Sequence, residues 1–95
     1  MNHWIVIFKD QPQMLEVRKQ FFSDHVAYLT SQSDIFVDGA SLSESESADP
    51  QGGIWIVKAN DKDHIVNLIE NDPMYRKDLR EYQIFATGKT FSIKD

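Results

Sequence analysis

His25, Asp72 and Arg18 are the residues of this chain whose types and positions could carry a reaction. Histidine gains and loses a proton near neutral pH, and a carboxylate partner orients the ring and favours its charged form. A histidine–aspartate pair is therefore the smallest unit of general acid–base chemistry: the ring moves the proton and the carboxylate holds the ring. An arginine beside it would anchor an anion, because its planar fork of N–H donors matches a carboxylate. Each residue also has an ordinary structural role. A lone histidine on an apolar face is most often a core residue satisfied by a backbone carbonyl, and an aspartate before proline most often bonds local backbone.

The elements that must position these residues follow from the apolar spacing. Met14, Leu15, Arg18, Phe21, Phe22, His25, Val26 and Leu29 recur at helical period from Gln13 to about Gln32, with Pro12 in the first turn. At about 100° per residue, Arg18 falls about 20° from His25, near the centre of the apolar arc. A second helix begins after a cap at Asn60 or Asp61, carries Ile65, Val66, Leu68 and Ile69, and ends near Asp72-Pro73. Asp72 lies about 20° from Ile65 on its wheel, so a carboxylate ends that apolar stripe.

Strands are expected at His3–Lys9, Ile35–Val37, Ile54–Ala59 and Tyr82–Thr87, a short turn of helix at Met74–Leu79, and a ragged extended tail at Phe91–Ile93. Ser43 to Pro50 reads as an exposed hairpin loop, and a phosphosite cluster there is the weaker alternative. The order β-α-β-β-α-β defines an α+β, ferredoxin-like domain, a four-stranded antiparallel sheet with both helices on one face. Helices lying side by side would let His25 and Asp72 meet at their junction.

The strands are apolar on both faces. Trp4, Val6 and Phe8 alternate with Ile5 and Ile7, Trp55 and Val57 with Ile54 and Ile56, and Ile84 with Phe85. Two helices cover one face. A second copy of the chain is the simplest cover for the other, so a homodimer or higher homo-oligomer, a dimeric α+β barrel, is expected.

Composition narrows the class. The chain has 95 residues, one domain's worth, read as a single domain over 1–95. No cysteine is present, which excludes disulfides and cysteine-ligated metal. The net charge of −5 repels phosphate backbones, so no nucleic-acid partner is expected. No apolar run is long enough to span a bilayer, and a cytoplasmic protein is the default. His3 and His64 have no metal-ligand spacing with His25, and neither a nucleophile-elbow serine nor a phosphate loop occurs. No metal and no cofactor are expected.

Several short motifs occur in a telling order: Arg18, then Asp24-His25-Val26-Ala27-Tyr28-Leu29, Gly39, Gly53-Ile54-Trp55-Ile56-Val57, and Asn71-Asp72-Pro73-Met74-Tyr75. Together they resemble the YCII-related domain family over nearly the whole chain. The resemblance implies a ferredoxin-like dimeric α+β barrel with an active-site dyad that falls on His25 and Asp72. It also implies kinship with muconolactone-type dehalogenases or isomerases, in which proton transfer drives the step. This chain departs from the family pattern in three places. Phe22 stands where an arginine is common one turn before the histidine, Gly39-Ala40 replaces Gly-Pro, and the glycine after Asp-Pro-aromatic is missing. These departures touch the pocket and spare the dyad. The expected function is a small acid–base enzyme of lyase, isomerase or dehalogenase type acting on a small organic acid, with Arg18 as substrate anchor. The alternative is a non-catalytic dimeric module that binds or senses a small ligand, and a purely structural accessory protein is the third.

Overall fold

The computed structural model describes residues 2–87. The sheet is built on β1 (Asn2–Asp10), which pairs antiparallel with β3 (Gly52–Ala59) on one side and β4 (Arg80–Ala86) on the other. β2 (Phe36–Leu42) pairs with β3, giving the order β2-β3-β1-β4. Trp4, Val6 and Phe8 of this strand belong to the core on one face of the sheet, and Ile5 and Ile7 point to the other. The helices are α1 (Met14–Thr30) and α2 (Lys62–Glu70). The α+β, ferredoxin-like β-α-β-β-α-β arrangement expected from the sequence is the one observed.

Local chemistry sets the helix ends. Gln11-Pro12-Gln13 turns the chain into α1: the Met14 N–H donates to the Gln11 carbonyl and the Leu15 N–H to the Pro12 carbonyl. Pro12 sits where a missing N–H costs nothing. Asp61, not Asn60, caps α2, its carboxylate accepting the His64 N–H at 2.9 Å. Ile65, Leu68 and Ile69 of α2 are buried against Val6, Phe8, Phe36, Trp55, Val57 and Ala59, and Tyr28 and Leu29 of α1 pack on the same cluster. Both helices therefore share one face of the sheet.

Three details depart from expectation. β2 runs on to Leu42, because pairing with β3 carries an edge strand through Asp38, Gly39 and Ser41, which show no apolar signal. Met74–Leu79 is a series of turns and not a helical turn; the Tyr75 N–H returns to the Asp72 carbonyl and the Leu79 N–H to that of Arg76. The chain there is already heading back to start β4 at Arg80, two residues before the expected Tyr82. The expected tail strand at Phe91–Ile93 lies outside the described residues.

A register shift between Phe36 and Asp38 decides which β2 side chains face the helices. Phe36 pairs with Val57 on the helix side, yet Asp38 pairs with Ile56 on the far side, leaving Gly39 opposite Trp55 and Ser41 opposite Gly53. Without the extra residue the alternation would turn Asp38, Ala40 and Leu42 toward the helices instead. The far face carries Ile5, Ile7, Ile54, Ile56, Leu42 and Phe85 with no helix over it; Ile7, Leu42 and Phe85 are 36%, 39% and 48% exposed.

At Gly52 the two strands approach closely. A Cβ there would lie 2.1 Å from the Phe8 carbonyl oxygen, and a backbone atom in the central strand cannot step aside. Gly52→Ala is expected to destabilise by about 2 kcal/mol or more, lowering the melting temperature by roughly 10 °C in calorimetry. A melting curve that superposes on the wild type would contradict this close approach.

Candidate functional site

The helix junction brings His25 and Asp72 together. His25 is on the buried side of α1, and Asp72 follows the α2 cap residue Asn71. His25 Nδ1 lies 2.7 Å from Asp72 Oδ2, and both side chains are almost fully buried. An ionised carboxylate only accepts, so Nδ1 carries the hydrogen and donates it. The other carboxylate oxygen, Oδ1, accepts the Met74 N–H at 2.9 Å. The local backbone role and the pairing role of Asp72 thus coexist on separate oxygens. One turn further along α1, the Tyr28 hydroxyl donates to the Leu68 carbonyl at 2.7 Å, satisfying an α2 C-terminal acceptor that has no partner within its own helix. Burial raises the Tyr28 phenol above its ordinary value, and the charge of Asp72 pushes the same way, so it stays a neutral donor. These two bonds fix α1 against α2.

With Nδ1 committed, Nε2 is the remaining ring nitrogen. Among the described residues it has no hydrogen-bond partner, and no buried side-chain nitrogen or oxygen is left unsatisfied, so Nε2 is reachable from outside. His25 lines a cavity of about 290 Å³ between α1 and the sheet. Its floor is Gly39, Gly52, Gly53 and Trp55, and its wall is Phe22, Val26 and Leu29. The floor is low because Gly39 and Gly53 sit where side chains would otherwise fill the gap, opposite Trp55 and Phe8 on the helix side of the sheet, and Gly52 lines it with backbone alone.

Arg18 and Arg80 close one end of this cavity around a single carboxylate. Arg80 Nε and Nη2 donate to Asp10 Oδ1 and Oδ2 at 2.7 and 2.9 Å, a bidentate pair with both side chains buried. Arg80 also lies over the Phe8 ring, 4.6 Å from its centroid. Arg18 approaches the same Asp10 Oδ2 only to 3.6 Å and donates Nη1 to the Ser41 hydroxyl at 3.2 Å. Burial, and then the adjacent Arg80 charge, lower the Arg18 guanidinium below its ordinary value, with Asp10 opposing both. It remains cationic, as arginine does in proteins. Two guanidiniums and one carboxylate leave this end with one excess positive charge.

All three sequence-selected residues border one site: His25 and Arg18 line the cavity, and Asp72 holds the His25 ring from behind. Asp10, Arg80 and Ser41 were missed. Asp10 ends β1 and Arg80 begins β4, and the two face each other in the antiparallel register. That pairing is visible in the sequence only once the first and last strands are known to be neighbours. Ser41 depends on the register shift in β2, which leaves no sequence signal. Among the described residues no three His, Asp or Glu side chains are grouped to hold a metal ion.

The family model for the YCII-related domain matches residues 2–87, so the chain belongs to that family. No curated protein matches it in sequence. Among solved structures it is similar to the 5-chloro-2-hydroxyhydroquinone dehydrochlorinase TftG of Burkholderia phenoliruptrix AC1100, in complex with 2,5-dihydroxybenzoquinone. That similarity has a TM-score of 0.75 and 24% identity, and covers 86% of this chain and 89% of the other. It is also similar to SnoaB of Streptomyces nogalater, a cofactor-independent oxygenase, with a TM-score of 0.55 and 12% identity over the whole of both chains. At these identities the likeness is one of fold.

The tautomer argument is directly measurable. In Asp72→Asn the amide oxygen can keep the Met74 N–H, leaving the amide NH₂ to face Nδ1. The hydrogen should then move from Nδ1 to Nε2, as seen in the ¹⁵N shifts of the His25 ring by NMR, with the fold retained. An unchanged ring tautomer would show that Asp72 does not set the orientation of the histidine.

Proposed function

We propose that this protein is a cofactor-independent acid–base enzyme acting on a small organic acid. The observation that carries the proposal is the 2.7 Å bond from His25 Nδ1 to Asp72, which leaves Nε2 accessible beside a cavity with a guanidinium at its end. In this reading His25 Nε2 takes a proton from a carbon next to a carbonyl, Asp72 stabilises the imidazolium that forms, and Arg18 anchors the anionic group. The C–H electron pair becomes an enolate. That enolate either recovers the proton at another carbon, an isomerisation, or expels a leaving group with its bonding pair, an elimination. The kinship of the fold with a dehydrochlorinase and a cofactor-independent oxygenase supports a reaction that protein side chains can run. A binding or regulatory module would use the same cleft without turnover.

Proton abstraction can be tested before the physiological substrate is known. Small carbonyl acids incubated with the protein in D₂O should exchange an α C–H for C–D, read by mass spectrometry. His25→Gln should slow that exchange by about 10²–10⁴-fold, the usual worth of a positioned general base. Exchange at the uncatalysed rate with every acid tried would favour the binding module.

We further propose that the protein assembles as a homodimer through the far face of its sheet. Ile5, Ile7, Ile54, Ile56 and Phe85 form an uncovered apolar surface, and a two-fold axis makes such a surface its own complement. Sedimentation at micromolar concentration should give about twice the chain mass, and Ile56→Asp should give monomer or insoluble protein, since an unpaired buried charge is costly. A wild-type monomer under those conditions would overturn this assembly.

A further inference from the structure

We propose that the cavity selects a flat, ring-bearing organic monoanion, held by Arg18 at one end so that the reacting C–H meets His25 at the other. This rests on the acid–base reading of the site and adds the ligand's size, charge and shape.

Charge comes first. Arg80 is committed to Asp10 by two hydrogen bonds, whereas Arg18 spends one donor on Ser41 and stays 3.6 Å from the shared carboxylate. Arg18, with five N–H groups in its fork, is thus the cation with donors to spare at this end. Its side chain is only 13% exposed, and the rest of the wall is largely apolar, so the excess positive charge lacks the solvation it would have in water. One negative charge on the ligand balances that excess. A second would face the apolar wall and the Asp10 carboxylate.

Size and shape follow from the lining. An apolar cavity of about 150 Å³ accepts benzene, so the 290 Å³ here has room for a ring with its substituents. Phe8, Phe22 and Trp55 offer ring surfaces around the space, and the Gly39–Gly53 floor leaves a slot in which a flat molecule fits. Arg18 and His25 are two turns apart on one side of α1, about 10 Å along the axis. Their side chains can therefore reach opposite ends of one ring, with the anionic group remote from the atom that loses its proton.

Calorimetric titration with benzoate, benzamide, acetate and phthalate tests the charge and the ring. Benzoate should bind at least about tenfold more tightly than each of the others, which lack the charge, lack the ring or carry a second charge. Arg18→Gln should weaken benzoate about ten- to a hundredfold, the worth of a lost charged hydrogen bond, and Arg18→Lys should recover part of it. Amide shifts at Gly39 and Gly53 on adding benzoate would locate the ligand in this cavity. Benzamide or acetate binding as tightly as benzoate, or benzoate unaffected by Arg18→Gln, would overturn the proposal. If benzoate binds as described but no acid exchanges its C–H, the ligand class stands and the acid–base reading fails. If exchange occurs and the ring acids show no preference, the reverse holds.

Discussion

Two helices cover one face of a four-stranded sheet and cannot cover both, and most of what is distinctive in this protein follows from that constraint. With α1 and α2 on the same face, their sides must meet, and the meeting line is where His25 and Asp72 pair and Tyr28 reaches the end of α2. A polar pair is tolerable there because each group is satisfied: one carboxylate oxygen takes the ring N–H and the other takes the Met74 N–H. The same constraint leaves the far face of Ile5, Ile7, Ile54 and Ile56 without a helix, so the apolar surface and the buried His25–Asp72 junction are two consequences of one geometry.

The cavity arises where helix and sheet part. Near its start α1 buries only Met14, and Phe22 and Val26 stand half-exposed beside a floor of glycines and Trp55. Larger side chains on that floor would close the gap, and a helix pressed closer would fill it. Charge is held at the cavity's end by sharing: one buried carboxylate, Asp10, serves two guanidiniums at unequal distances. A buried ion pair contributes little net stability when it merely replaces apolar packing, because both ions lose water. The three charged groups at this end are therefore a poor source of net stability.

The departures from the family's sequence pattern take on a physical meaning in this arrangement. Where relatives commonly place an arginine one turn before the histidine, this chain has Phe22, whose ring stands 5.8 Å from the Arg18 guanidinium and 5.8 Å from the His25 ring. The cation has moved one turn further away and an aromatic surface lies between it and the dyad. The His25–Asp72 pair is kept while the lining beside it changes.

Much of this was legible in the residues. The helical period of α1 put His25 and Arg18 on one arc, the stripe of α2 put Asp72 at its end, and the doubly apolar strands pointed to a sheet face left without a helix, because periodicity is a local property of the chain. The sequence pattern could not show that His25 and Asp72 come within 2.7 Å, since 47 residues separate them and only the packing of one helix on the other sets that distance. Nor could it show Arg80 facing Asp10, 70 residues away, which exists because the first and last strands are neighbours in the sheet. The single extra residue in β2, which turns Gly39 and Ser41 into the cavity, carries no periodic signature at all. A bulge is chosen by the strand it pairs with, and that choice belongs to the tertiary structure.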